Sequence, residues 1–270
     1  MADDAQYEAI RYVVDDGVAT LTFDEPEKRN PMSAAMQADT IEALGSAHLD
    51  PGVRVVIITG SGEQAFSAGG DVRQLGGGGS GPAPTPLDRR KWLRQTQKMI
   101  LAIRACEKPV LAAVNGIAAG GGLDIALACD IRFASDRARF SEIFARIGLF
   151  PGTGGTYLLP RTIGVAKALE LIWTGDMIDA AEALQIGLVS RVVAHDQLLS
   201  ETMTFARRLC DGPPMAITLA KAAVYRGLDL GFEAALDYAA TAEGMTLTSQ
   251  DHAEGIRAFR EKRSPRFEGR

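Results

Sequence analysis

Residues 109–133, PVLAAVNGIAAGGGLDIALACDIRF, carry the densest chemical signal in the chain. An apolar, β-rich run ends in Asn115-Gly116. Small residues follow, and then Gly120, Gly121 and Gly122 open an apolar helical pattern holding one acid, Asp124. Glycines at a helix start let a ligand reach the bare backbone, because no Cβ stands in the way. The first N–H groups of a helix lack intrahelical acceptors, and the positive end of the helix dipole lies behind them. The segment therefore predicts a site for an oxygen carrying negative charge, with a carboxyl about one turn away. A second small-residue turn, AFSAGGDV at residues 65–72, follows a strand-like run. Alone it reads as a tight connection. Paired with the triple glycine it predicts two backbone N–H donors converging on one oxygen, as an oxyanion hole requires.

Other chemistries find less support. Gly76, Gly78 and Gly81 satisfy a dinucleotide-binding fingerprint, but a proline-rich loop follows where a helix is needed. Gly60, Gly62 and Ala65 satisfy its looser form after a strand, yet residues 66–71 do not open an amphipathic helix. Both features disfavour a nicotinamide-dependent oxidoreductase. Ser67, Ser141 and Thr153 have no paired histidine, which argues against a Ser-His-Asp hydrolase. His48, His195 and His252 stand in separate contexts and read as surface residues. Cys106, Cys129 and Cys210 are odd in number, far apart and without a C-x-x-C, so they predict reduced thiols and neither a metal site nor a disulfide framework.

The elements that must position these residues alternate. Residues 7–14 and 18–23 flank Asp15-Asp16-Gly17 and predict a hairpin. Residues 31–49 are helical in composition, and residues 53–59 form a buried-type strand. GGGGSGPAPTP at residues 76–86 predicts a mobile loop, followed by a helix over 88–104. Further strands are expected at 131–134 and 188–193, and helices at 164–173 and 196–210. After Pro213-Pro214 the pattern is helical to about Arg260, broken near Leu230-Gly231. This order predicts an α/β core over residues 1–195 and a helical C-terminal domain over 196–270. The apolar positions beyond Pro214 exceed what a short helix pair could bury on itself, so these helices are expected to cover a pocket and to join subunits.

Composition bounds the partners. The chain has 270 residues, 46% hydrophobic and 23% charged, with a net charge of −5 and an isoelectric point near 5.4. No basic footprint for nucleic acid exists. The acidic start, MADDAQYEAI, and the lack of a long apolar run predict a cytoplasmic chain without a membrane partner.

AFSAGGDV, NGIAAGGGLDIALACDIRFAS, FPGTGGTYLLPRTIG, WTGD at residues 173–176 and ALQIGLVSRVV, in this order, resemble the crotonase superfamily, the enoyl-CoA hydratase/isomerase family. The closing EGIRAFREKRSPRFEGR is similar to the tail of its 1,2-epoxyphenylacetyl-CoA isomerase branch. The resemblance implies a crotonase-like spiral of ββα units with a C-terminal helical trimerisation domain, assembled as a trimer or a dimer of trimers. It implies an acyl-CoA thioester substrate, with coenzyme A part of that substrate and no separate cofactor. It further implies an enolate held by the N–H groups of Gly70 and Gly121, with Asp124 as the acid/base. Ala68, Asp71, Val72 and Arg73 would line the coenzyme A path, and Lys28 or Arg29 would meet its phosphates.

Hydratases of this family carry a glutamate just after the triple glycine and another seven residues before a Pro-Gly. Here the first position is Asp124, and counting back from Pro151 reaches Phe144, an apolar wall residue. The aspartate that follows the proline in other branches is Gly152 here. Glu142 lies two residues from Phe144. If this segment is helical, it points about 200° away, toward the surface and an ion pair with Arg146. A single acid predicts isomerase-type chemistry and poor hydration of crotonyl-CoA. Decarboxylation, C–C hydrolysis and a catalytically silent acyl-CoA-binding subunit remain as alternatives.

Overall fold

The computed structural model describes residues 7–70 and 83–270. The chain begins with a hairpin, β1 (Ile10–Asp15) and β2 (Val18–Phe23), paired from Ile10↔Phe23 to Asp15↔Val18. Asp16 (φ 45°) and Gly17 (φ 80°) both adopt the left-handed conformation that a two-residue turn matching strand twist requires. Ser33 caps helix α1 (Ala34–Leu49) by accepting from the Met36 N–H.

From here the chain alternates between two sheets. β3 (Val55–Gly60), β5 (Val110–Val114), β7 (Ile131–Ser135) and β10 (Arg191–Val193) extend the hairpin into a six-stranded sheet, β1-β2-β3-β5-β7-β10, parallel from β2 onward. β4 (Ala65–Ser67), β6 (Ile117–Ala119), β8 (Arg139–Ser141) and β9 (Ile178–Asp179) form the second sheet, in that order. Each turn lays one strand in each sheet and returns through helical structure: α2 (Pro86–Ala105), α3 (Gly121–Ala128), then α4 (Gly155–Ile163) and α5 (Val165–Thr174). This is the expected spiral of ββα units. Pro86 is the first residue of α2, capped by Thr85, so the expected loop ends one residue early. Residues 71–82, which contain most of that loop together with Asp71, Val72 and Arg73, lie outside the described residues. The strand expected over 188–193 is confined to Arg191–Val193.

Two asparagines hold the corners between the sheets. Asn30 donates to the carbonyls of Ser61 and Ala65, and Asn115 donates to Gly62 O at 2.8 Å and accepts from the Gly60 N–H. Backbones touch here, and a Cβ on Gly116 would stand 2.5 Å from Gln64 O. No helix follows Gly60 and Gly62; β4 does.

α6 (Ala180–Gln185) leads to β10. α7 (Leu198–Cys210), placed by the sequence in the tail, buries Leu198 and Ala206 against Val55, Ile57, Leu111 and Phe133 of the large sheet. The last helices, α8 (Pro214–Gly227), α9 (Phe232–Leu247) and α10 (Gln250–Glu261), stand outside this packing; α8 and α9 bury no residue. Lys221 and Tyr225 tie α8 to Asp130, each at 2.7 Å. No helix among the described residues is long and apolar enough to cross a membrane.

Two glycines test how tightly the fold is drawn. A Cβ on Gly122 would lie 2.0 Å from the Ser67 carbonyl oxygen, a backbone atom that cannot swing aside. Gly45, within α1, faces open space. Urea denaturation is expected to show Gly122→Ala destabilised by about 3 kcal/mol or failing to fold. Gly45→Ala is expected to gain about 0.5–1 kcal/mol.

Candidate active site

The start of α3 has no side-chain cap. Gly120 (φ 52°) turns the chain out of β6, and its N–H is taken by the Ser141 carbonyl at 2.8 Å. Pro31 and Gly69 form a parallel bridge that presses the 68–70 loop onto this helix start. A Cβ on Gly69 would lie 2.5 Å from Ala119 O and 2.9 Å from Gly121 N. The glycines thus permit two backbones to meet. Among the described residues, neither the Gly70 nor the Gly121 N–H donates to another group of the chain. Both residues line a cavity of about 700 Å³.

The rest of that cavity is mainly apolar: Trp92 and Leu93 from α2, Phe144, Ile147, Phe150 and Met177. Ala68 and Arg29 also line it, whereas Lys28 does not and is paired with Glu25 at 2.7 Å. Of the two basic residues expected to meet phosphates, only Arg29 faces the cavity. A Cβ on Gly152 would lie 2.9 Å from a methyl of Leu93, which would have to turn aside to admit a side chain there. No described lining residue lies beyond Met177. None of the described residues of the last helices therefore lines the cavity of their own chain.

The principal difference from the sequence reading is Glu142. It does not sit on an α-helix and does not reach the surface. It directly follows β8, whose Ser141 pairs with Ala119 of β6, next to the Gly120 turn. This register carries Glu142 into the interior, where it is fully buried, as is Asp124. Arg146 instead pairs with Asp176 at 2.8 Å. Residues 143–147, which follow Glu142, form a 3₁₀ turn that ends at Gly148 in a left-handed conformation. Phe144, reached by counting back from Pro151, supplies the apolar wall beside Gly120, as expected. The position of Glu142 immediately after a β-rich FS pair was the available signal, but a three-residue strand gives no periodicity to read.

Asp124 and Glu142 converge over Gly155, at the start of α4. A Cβ there would lie 2.6 Å from Asp124 Oδ1 and 2.6 Å from Glu142 Oε1. The Thr153 hydroxyl donates to Asp124 Oδ2. Among the described residues, Asp124 Oδ1 and both carboxyl oxygens of Glu142 have no side-chain hydrogen-bond partner. Burial pushes the Asp124 carboxyl up to about 7, against the opposing pull of Thr153 and the Gly155 amide. Burial, and then the charge of Asp124, raise Glu142 well above the ordinary carboxylate range. Two such acids cannot both ionise cheaply, so near neutral pH the pair retains a proton. The Ser135 hydroxyl contacts the His195 ring at 2.9 Å, but this pair lies at the end of β7 and outside the cavity lining. No metal-binding cluster occurs among the described residues.

The chain matches the enoyl-CoA hydratase/isomerase family over residues 14–270. It belongs to that family. It is 36% identical to a crotonyl-CoA hydratase of Syntrophomonas wolfei, with 97% of this chain and 98% of the relative covered. It is 36% identical to an (E)-benzylidenesuccinyl-CoA hydratase of Thauera aromatica, with 95% and 97% covered. The crystal structure of an enoyl-CoA hydratase from Bacillus anthracis superimposes with a TM-score of 0.92 at 32% identity, covering 97% of this chain and all of that one. An acyl-CoA thioester substrate is consistent with this membership. The relatives carry hydratase names, and none of these matches supports the isomerase branch suggested by the tail.

The buried pair sets a pH dependence of stability. Its folded-state affinity for protons exceeds that of the unfolded chain, whose carboxyls release theirs near 4. The folded protein therefore binds more protons between about pH 4 and 7, and it loses stability as pH rises through that window. Glu142→Gln removes one titrating member. Thermal melts are expected to show the fall in Tm between about pH 5 and pH 8 shrinking by about 2–4 °C in this variant. An unchanged fall would mean that Glu142 is not buried beside Asp124.

Proposed function

We propose that this protein hydrates the double bond of a 2-enoyl-CoA, using Asp124 and Glu142 together. The observation that carries this reading is the convergence of both carboxyls over Gly155, behind the glycine turns. The thioester oxygen would sit between the Gly70 and Gly121 N–H groups, whose fixed dipoles stabilise the enolate formed when water adds. The hydroxyl of water goes to Cβ and a proton goes to Cα. A carboxyl pair sharing one proton suits this step: the ionised member takes a proton from water while the protonated member supplies one to Cα. The pair ends with the proton count it began with. Phe144, Trp92 and Phe150 favour an apolar acyl group.

A single-acid isomerase or atypical hydratase was the expectation from the sequence, and its premise was Phe144 in place of the second acid. Glu142 beside Asp124 supplies a second carboxyl, and this supports hydration over a single-acid reaction. A silent binding subunit would have no reason to keep two unpaired buried carboxyls, which burden the fold.

The long apolar positions of the last helices support self-association as a trimer or a dimer of trimers. Phe232 and Phe259 are 81% and 85% exposed, and Leu228 and Leu236 are exposed near them in sequence. A single chain leaves this surface to water, and exposed apolar area of this kind marks an interface.

Steady-state kinetics over straight-chain and aryl 2-enoyl-CoA thioesters test the reaction. Asp124→Asn and Glu142→Gln are each expected to lower kcat by on the order of 10²–10⁴, with KM changed less than about threefold. Tight thioester binding without hydration or solvent exchange at Cα would instead support the silent subunit. Sedimentation is expected to return three or six copies; a stable, fully active monomer would refute the assembly.

A further inference from the structure

Thr153 is the only described side chain that both lines the cavity and hydrogen-bonds to the buried carboxyl pair. It is itself buried, and it precedes Gly154 and Gly155, the two glycines at the start of α4. Asp124 and Glu142 are not among the cavity-lining groups. The two acids are treated unequally. Asp124 Oδ2 accepts the Thr153 hydroxyl, and the Gly155 amide also acts on this carboxyl. Neither oxygen of Glu142 has a donor. Among the described residues, the only charged group acting on Glu142 is Asp124, and no cation acts on either acid.

A hydrogen bond donated to a carboxylate favours its charged form, and a buried carboxyl without donors favours its neutral form. We propose that Thr153 is a positioning residue that divides the work of the pair: its hydroxyl keeps the negative charge on Asp124 and leaves the shared proton on Glu142. In the hydration reading the charge on Asp124 then serves as the base of the pair and the proton on Glu142 as its acid. This rests on the hydration reading above for the roles, but the location of the proton does not depend on turnover. The same hydroxyl fixes the Asp124 rotamer, because pinning Oδ2 leaves Oδ1 directed at Gly155 and Glu142.

Two measurements decide it. The first is infrared spectroscopy of the substrate-free protein about two pH units above neutral, where the proposed assignment leaves Asp124 ionised and the proton on Glu142. The absorption of a protonated carboxyl is expected to persist in Asp124→Asn and to vanish in Glu142→Gln. The reverse pattern overturns the proposal whether or not any enoyl-CoA is hydrated. The second is the pH profile of kcat/KM. Thr153→Val, close in shape but without the hydroxyl, is expected to move the acidic limb to higher pH by about one unit. It should lower kcat about tenfold or more with KM nearly constant, and Thr153→Ser is expected to restore both within about threefold. A Val variant that keeps the wild-type profile and kcat, or a Ser variant that rescues neither, overturns it. If Thr153→Val does not fold, the infrared pattern of the two acid variants still decides. Absence of hydration with every thioester, combined with the expected infrared pattern, would sink the proposed reaction and leave the proton assignment standing.

Discussion

Two carboxyls share one dry space, and much of the local architecture follows from holding them there. An isolated buried carboxylate is costly, and a second beside it is worse unless a proton is kept between them. Glycine at 155 leaves the gap in which Asp124 Oδ1 and Glu142 Oε1 approach. One acid comes from the first turn of α3 and the other from the residue after β8. The β6–β8 pairing therefore sets their separation, and a shift of one residue in that register would turn Glu142 to the opposite face of the strand.

The opposite end of α3 is fixed just as firmly. Arg132, nearly fully buried, donates to the Cys129 carbonyl at 2.9 Å and to the Leu188 carbonyl at 2.7 Å. It satisfies acceptors that the helix end would otherwise bury unpaired. Anchored at its C-terminus by Arg132 and at its N-terminus by the Gly69–Ala119 contact, an eight-residue helix can present both an N–H group and an acid at fixed positions. Such rigidity suits the proposed reaction, because donors aimed in advance do not have to reorganise as charge develops.

Much of this was legible in the sequence because it depended on local rules. The Asp16-Gly17 turn, the apolar strand runs and the glycine-opened helix each carry their signal within a few residues. The two glycine turns and Asp124 followed from that, whereas the choice of Gly70 and Gly121 as donors came from the family resemblance. Glu142 was not legible for a physical reason. Its placement depends on a three-residue strand pairing with another three-residue strand, followed by a 3₁₀ turn whose length a count along the chain cannot supply. The same holds for α7: amphipathic periodicity identifies the helix but not which surface it covers, and it covers the large sheet rather than the tail.

The cavity and the acids behind it make opposite demands on water. Aromatic and aliphatic walls disfavour it, which in the proposed reaction would strengthen the field of the Gly70 and Gly121 amides on an enolate. The same exclusion raises both carboxyls and would leave the pair doubly protonated, without a base, if nothing opposed it. A single hydroxyl on Asp124 is a mild counterweight. It favours one charge where an arginine or lysine would favour two, and under the proposed reaction it would leave a base and an acid side by side. On that reading the weak donor set around this pair is a condition of its chemistry, and a better-satisfied pair would be a more stable and less useful one.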